Sequence, residues 1–282
     1  MIYRKPISRR EFLGDFSRFS FATWLGLDFL GELKEAGATP ATLVESAPAS
    51  TRRGILKLRL QAFKLREMQE FYADTIGFDV ELSKGRLLVQ AGGTFIQFDE
   101  ISEKDFAVAD RPHYHIAWAI PESKFAKAKA WLADRTPLLR HPDGRDEFHF
   151  RRANRHAVYF ADPMSNILEL IARHDMTGET SGNFDLVDVL YVNHIGLVID
   201  DMKKAIDQIG HSLGLELTAE PSPNFAKLGD AHRHLTLVTR NRLWIPERKL
   251  GANVFKTEVV LHGERSKRFA FEAYPYAIST QP

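Results

Sequence analysis

Tyr159-Phe160-Ala161-Asp162-Pro163-Met164-Ser165-Asn166-Ile167-Leu168-Glu169-Leu170 is the stretch on which the fold turns. Two apolar runs flank a cluster of Asp, Pro, Ser and Asn, the residues that favour tight turns, so the segment reads as strand, turn, strand. One carboxylate, Glu169, stands between Leu168 and Leu170 on the second strand. A carboxylate in an apolar strand needs a partner, because burying its charge alone is prohibitive.

Upstream, His115-Ile116-Ala117-Trp118-Ala119-Ile120 forms another apolar strand, followed by a helix face of Phe125, Ala128, Trp131 and Leu132. This opening recurs twice. The strand Ile55 to Ala62 precedes a helix pattern with Leu65, Met68, Phe71, Tyr72 and Ile76 at three- and four-residue spacing, stopped by Gly77. Short strands follow around Val80, Leu87-Val89 and Phe95-Phe98. The third copy has His194 to Ile199 as its strand and Met202, Ala205, Ile206, Ile209 and Leu213 as its helix face. There Leu213-Gly214-Leu215 answers Ile76-Gly77-Phe78. After Trp244-Ile245-Pro246 one further strand is expected, Val254 to Leu261, with no second helix and no second closing phrase.

The closing phrase resembles the D-P-x-G-N-x-x-E-L signature of a glyoxalase-type module, with Ser165 where that family usually has glycine. Over residues 55 to 265 the chain is similar to the vicinal-oxygen-chelate superfamily, the glyoxalase, extradiol-dioxygenase and bleomycin-resistance group. The resemblance implies an α+β fold of repeated βαβββ modules, forming a paired-module cup plus a third, incomplete-pair module. The polar link from His174 to Asp188 marks a boundary. It divides the chain into residues 1–50 (a leader or N-terminal helical segment), 51–178 (a paired-module domain) and 179–282 (a shortened second domain).

The resemblance also implies where a metal would sit, on the first and last strands of each module. Alternation turns a ligand there into the cup while its neighbours pack outward. In the second module these positions hold His115 and Glu169; in the first they hold Lys57 and Gln97, both poor ligands. The third module offers His194, with Thr236 at the closing position and His232 and His234 on the same strand. Should modules two and three meet, His115, Glu169 and His194 make a two-histidine, one-carboxylate set for a divalent ion: iron, manganese, zinc or nickel. The implied activity is that of a glyoxalase or dioxygenase on a small substrate with vicinal oxygens, aromatic ones included. The alternative is a metal-free binding protein of the bleomycin-resistance type, in which a Lys57–Glu169 ion pair takes the metal's place.

Composition narrows the field. The 282 residues carry 38 Lys and Arg against 37 Asp and Glu, a balance that argues against a nucleic-acid-binding face. With no cysteine, disulfides and thiolate metal sites are excluded. No apolar run is long enough to span a bilayer, and no glycine-rich phosphate loop suggests an organic cofactor. Arg140 to His156 is dense in Arg and His, with His156 another candidate at the cup's mouth. Its period-two charges fit a solvated hairpin better. A third module standing alone would expose sheet edge, so a homo-oligomer, or docking on the first domain, is expected.

The N-terminus carries an export-like pattern. Ser8-Arg9-Arg10-Glu11-Phe12-Leu13 resembles a twin-arginine signal, followed by a mildly apolar Phe19–Leu30 and the small-residue site Ala47-Pro48-Ala49. Arg18 and Asp28 interrupt the apolar part, which leaves an amphipathic N-terminal helix on a cytoplasmic protein as the other reading.

Overall fold

Apolar alternation and helix stops translate directly into two βαβββ modules and a third with two strands after its helix. The computed structural model describes residues 53–107, 111–175 and 181–282; the export-like segment lies outside them. The first module runs β1 (Ile55–Ala62), α1 (Leu65–Glu70), a π-helical turn (Phe71–Ile76), β2 (Asp79–Ser83), β3 (Arg86–Ala91) and β4 (Thr94–Glu100). The second runs β5 (His115–Ile120), α2 (Phe125–Ala133), β6 (Phe148–Phe150), β7 (Arg155–Ala161) and β8 (Ile167–Arg173). The third runs β9 (Tyr191–Val198), α3 (Met202–Leu213), β10 (Phe225–Gly229) and β11 (His234–Val238). Gly77 and Gly214 end their helices at φ 95° and 72°, the left-handed geometry that glycine adopts without strain.

The C-terminal segment holds more than the single strand expected. β12 (Thr257–His262), β13 (Lys267–Ala270) and β14 (Tyr276–Gln281) form a fourth module without its helix, with β14 parallel to β12 and antiparallel to β13. In each of the three helical modules the last strand runs parallel beside the first.

The fourteen strands of the described residues belong to one sheet. Between modules, β5 pairs antiparallel with β9, and β1 pairs antiparallel with β12. The second module therefore joins the third, and the first joins the helix-less fourth, with one β1–β9 bridge at Ile55 and Val192 between the halves. The sequence-based expectation joined modules one and two; hydrogen bonds between distant opening strands select the other pairing. The third module is not left alone, which removes the reason given above for docking or self-association.

Ile116, Trp118, Leu168, Leu170, Ile195 and Leu197 turn to the helix side and join the main core. Their strand neighbours turn the other way, into a cup walled by β6, β7, β8, β5, β9, β11 and β10, where Phe148, Tyr159, Ile167, Val198 and Trp244 make a second apolar cluster. Among the described residues, no helix is long and apolar enough to cross a membrane.

Candidate metal centre

Register builds the site. Within module two, β5 and β8 place Ala117 beside Glu169 and His115 beside Ile167. Across the module boundary, Ala117 also faces His194 on β9. The small Ala117 side chain thus leaves room between three longer ones. His115, Glu169 and His194 are 5%, 1% and 2% exposed. Glu169 Oε2 lies 3.3 Å from His115 Nε2 and 3.5 Å from His194 Nε2, and the two Nε2 atoms are 3.3 Å apart.

The other ring nitrogens fix what those atoms present. His115 Nδ1 is 3.2 Å from the Ile167 carbonyl, and His194 Nδ1 is 3.0 Å from Asn193 Oδ1. Asn193 is itself oriented, since its Nδ2 donates to the carbonyls of Ala231 and His232 at 2.9 and 3.0 Å. Each imidazole therefore donates from Nδ1 and directs an Nε2 lone pair inward. Two lone pairs and a carboxylate oxygen meet in a buried space where Glu169 Oε1 has no hydrogen-bond partner. A proton or a cation relieves such a convergence, and imidazole with carboxylate is the donor set for zinc, iron, manganese or nickel. The residues fit a divalent ion.

Electrostatics keep Glu169 ionised and His194 neutral. Burial pushes the His194 imidazole down to about 3 against the opposing pull of Glu169, so the ring is neutral at physiological pH. Burial raises the Glu169 carboxyl, but hydrogen bonds from His115 and His194, which need a proton on Nε2, and the positive Arg155 outweigh it and hold the group well below the usual carboxylate range.

The remaining candidates from sequence separate. His234 stacks on His194 with ring centroids 4.5 Å apart, yet neither of its ring nitrogens has a partner. Thr236, beside Gly196 as Glu169 is beside Ala117, takes the closing-strand position of module three; its buried Oγ1 is also without a partner. His232 precedes β11 and meets the Tyr191 hydroxyl at 3.0 Å. Lys57 and Gln97 lie in the half formed by β1, β4 and β12, and Gln97 donates to Asp99. The Lys57–Glu169 pair does not form, because β9 and β5 stand between β1 and β8 and the two histidines occupy the carboxylate. His156 points from the opposite face of β7, against Phe125 of α2.

Four cup residues escaped sequence reasoning. Arg155, taken as part of a solvated hairpin, is 7% exposed, and its guanidinium lies over Phe150. Tyr159 pairs with Glu169 across β7 and β8 and is fully buried. Burial, with Glu169 nearby, raises its hydroxyl well above 10. Lys227 on β10 faces Thr236, and burial, reinforced by Arg155, lowers its ammonium to about 7. The signal available was alternation: Arg155, Ala157 and Tyr159 share one face of a strand, and Lys227 lies between Ala226 and Leu228. Trp244, from the segment joining β11 to β12, covers the centre, its ring 5.3 Å from that of His115. A Cβ on Gly196 would lie 2.5 Å from that indole, so glycine is what admits the cover. Beyond Trp244 a cavity of about 200 Å³ reaches Ile167, Ser165, Leu139 and Leu250. A larger groove of about 420 Å³ runs along α2 beside Lys129 and Asp146, remote from the cup.

No family model matches the chain, and no curated protein matches it. Solved structures do resemble it. A protein described as a dioxygenase from Bacillus subtilis is 15% identical with a TM-score of 0.52, over 82% of this chain and 86% of that one. Glyoxalase I from Zea mays is 12% identical with a TM-score of 0.47, over 81% and 92%. Lactoylglutathione lyase from Agrobacterium tumefaciens is 20% identical with a TM-score of 0.32, over 42% and 92%. The first likeness shows that the chain shares the fold of that protein.

Proposed function

We propose that the protein is a glyoxalase- or dioxygenase-like enzyme that holds one divalent ion on His115, Glu169 and His194 and acts on a small anionic substrate bearing vicinal oxygens. The observation carrying this reading is the inward convergence of two Nε2 lone pairs and a carboxylate oxygen within 3.3–3.5 Å of one another. A bound ion would polarise the substrate's oxygens and favour the charge that develops on them.

The chain's own groups divide the remaining work. Arg155, and Lys227 in its protonated form, put positive charge on the cup's inner wall, which favours a carboxylate or an oxyanion. Tyr159 keeps its proton at neutral pH and offers it as a hydrogen bond to a substrate oxygen. Trp244 and Phe148 supply an apolar surface, and the Trp244 cover keeps bulk water from the centre. Residues Ser8 to Leu13 are read as an export signal, which cell fractionation with a folded reporter would check.

Metal content by elemental mass spectrometry tests the proposal, on protein purified without chelators or a polyhistidine tag. One equivalent of iron, manganese, zinc or nickel that is present in native protein and missing from a His115→Ala/Glu169→Ala variant is the expected result. It would justify assays on catechols and hemithioacetals. Metal content that is the same in native protein and in that variant, even after reconstitution, would overturn the reading.

A further inference from the structure

A second three-donor group lies on the other face of the same sheet wall. His149 on β6 and His156 on β7 are register partners, and His174 follows the end of β8. Donor atoms of the three imidazoles all lie within 4.8 Å of one another. His174 Nε2 is 2.9 Å from His156 Nδ1, and the rings of His149 and His156 are 4.2 Å apart. This group is separate from the cup. Arg155 and Ala157, the neighbours of His156, turn inward, whereas His156 turns outward and stacks on Phe125 with centroids 5.1 Å apart.

We propose that His149, His156 and His174 form a second binding site for a borderline divalent cation, zinc, nickel or copper, on the outer face of the β6–β7–β8 wall. Three features carry it. The imidazoles are held by backbone structure: His149 and His156 by ladder pairing, and His174 by its amide donating to the Asn154 carbonyl at 3.1 Å. Their positions are thus fixed before any ion arrives, which lowers the entropy cost of chelation. The group is half-buried to exposed, so an ion reaches it directly from solvent without passing Trp244. The donors are all nitrogen, which selects late first-row ions over calcium or magnesium. His156 is also disfavoured as a cation, chiefly by burial and by the neighbouring His149 and His174. The ion would staple the three edge segments of the wall that carries Glu169 on its inner face.

The test is zinc stoichiometry and affinity by calorimetry on the full, tag-free chain after chelator stripping, with native protein, a His149→Ala/His174→Ala variant, and the His115→Ala/Glu169→Ala variant. Loss of one zinc equivalent in the His149/His174 variant is expected whether or not the cup binds metal, which separates this site from the reading above. Its circular dichroism should match that of native protein, because both positions lie at the surface. Retention of one equivalent in the cup variant, weakened roughly tenfold or more by a further His149→Ala change, is the second expected result. Copper bound at the site would show nitrogen hyperfine splitting in its electron paramagnetic resonance spectrum. Equal stoichiometry and affinity with and without His149 and His174 would overturn the site. If the cup variant fails to fold, the comparison of native protein with the His149/His174 variant decides alone.

Discussion

The two halves of the sheet use one plan and reach opposite ends. Register makes the positions comparable. Lys57 corresponds to His115, Arg59 to Ala117, Gln97 to Glu169, Glu258 to His194 and Ser279 to Thr236. In the half built from modules two and three, alanine at the central position leaves space into which three donors point. In the half built from module one and β12–β14, arginine fills that position. Arg59 Nε lies 2.6 Å from Asp99 and its Nη1 3.5 Å from Glu258, while Arg86 lies 3.8 Å from Asp99. The second half thus closes on its own ion pairs. These pairs are partly solvated and each contributes little to stability. What separates an open cup of donors from a self-filled one is the size of the residue between the donors as much as the donors themselves.

The largest effect expected from this contrast is on metal affinity. Glu169→Ala should weaken binding at the cup by roughly two orders of magnitude or more, since it removes the one anionic donor. Gln97→Ala, the same position in the other half, should leave affinity unchanged. Isothermal titration with zinc on both variants checks the pair. Equal losses would mean that the two halves are not functionally distinct.

Thr236→Glu sharpens the contrast by supplying a carboxylate at the closing-strand position of module three, beside the three donors. Without metal, a second buried carboxylate there should destabilise the fold by about 3 kcal/mol. Excess zinc should recover most of that, because binding to the folded state alone raises its stability. Thermal melts with and without zinc would show a larger metal-dependent shift than in native protein. An unchanged shift would place Thr236 outside the ion's reach.

The turns entering the closing strands differ in the same spirit. In module one the turn uses Gly92 at φ 58°, where a Cβ would lie 2.2 Å from the Val189 carbonyl. In module two Ser165 adopts φ 62° and Asp162 organises the turn instead. Its Oδ1 accepts from the amides of Met164 and Asn166 at 2.9 and 3.0 Å, and its Oδ2 from Tyr72 at 2.9 Å. Burial raises this carboxyl to about 6 even so. Between an unfolded value of about 3.9 and that folded value, the native state retains a proton that the unfolded chain has released. Its contribution to stability is present below the unfolded value and is lost as pH rises through about 6. Native protein should therefore lose about 2–3 kcal/mol relative to Asp162→Asn between pH 4 and 7. Urea denaturation of both proteins at the two pH values measures the gap; a gap that widens with pH in the native protein's favour would contradict it.

Much of this was legible in the residues because it is local. The strands at Ile55–Ala62 and His115–Ile120, the helix at Met202–Leu213 and the stops at Gly77 and Gly214 follow from period and turn chemistry, and the structure places them there. The pairing of modules was not legible, because it rests on antiparallel contacts between strands far apart in sequence, β5 with β9 and β1 with β12. β13 was missed because Lys267-Arg268-Phe269-Ala270 lacks an apolar face, its pattern being almost wholly exposed. In the cup, His115, Glu169 and His194 stand out as polar residues in apolar strands. Arg155 and Lys227 do not, since a charged residue reads as surface until its strand neighbours are known to face inward. Trp244 sits in a connecting segment, where no periodicity indicates what it covers.

The smallest predicted effect concerns a residue that touches no ion. Asn193 precedes His194 and holds its Nδ1, while the corresponding position before Glu258 is Thr257, whose hydroxyl donates to the Phe255 carbonyl 2.9 Å away. The half with the open cup thus supports His194 from behind, and the other half spends the equivalent side chain on a local turn. Asn193→Ala should free the His194 ring to change tautomer and orientation, weakening zinc binding about tenfold to a hundredfold. Asn193→Asp keeps an oxygen for Nδ1 and should retain more of the affinity, although it loses the two donors to Ala231 and His232. Nitrogen-15 chemical shifts of the His194 ring separate tautomer from packing: loss of the Nε2 lone-pair form should accompany the weaker binding. Unchanged shifts with weakened binding would assign Asn193 to packing alone and leave His194 oriented by its stacking on His234.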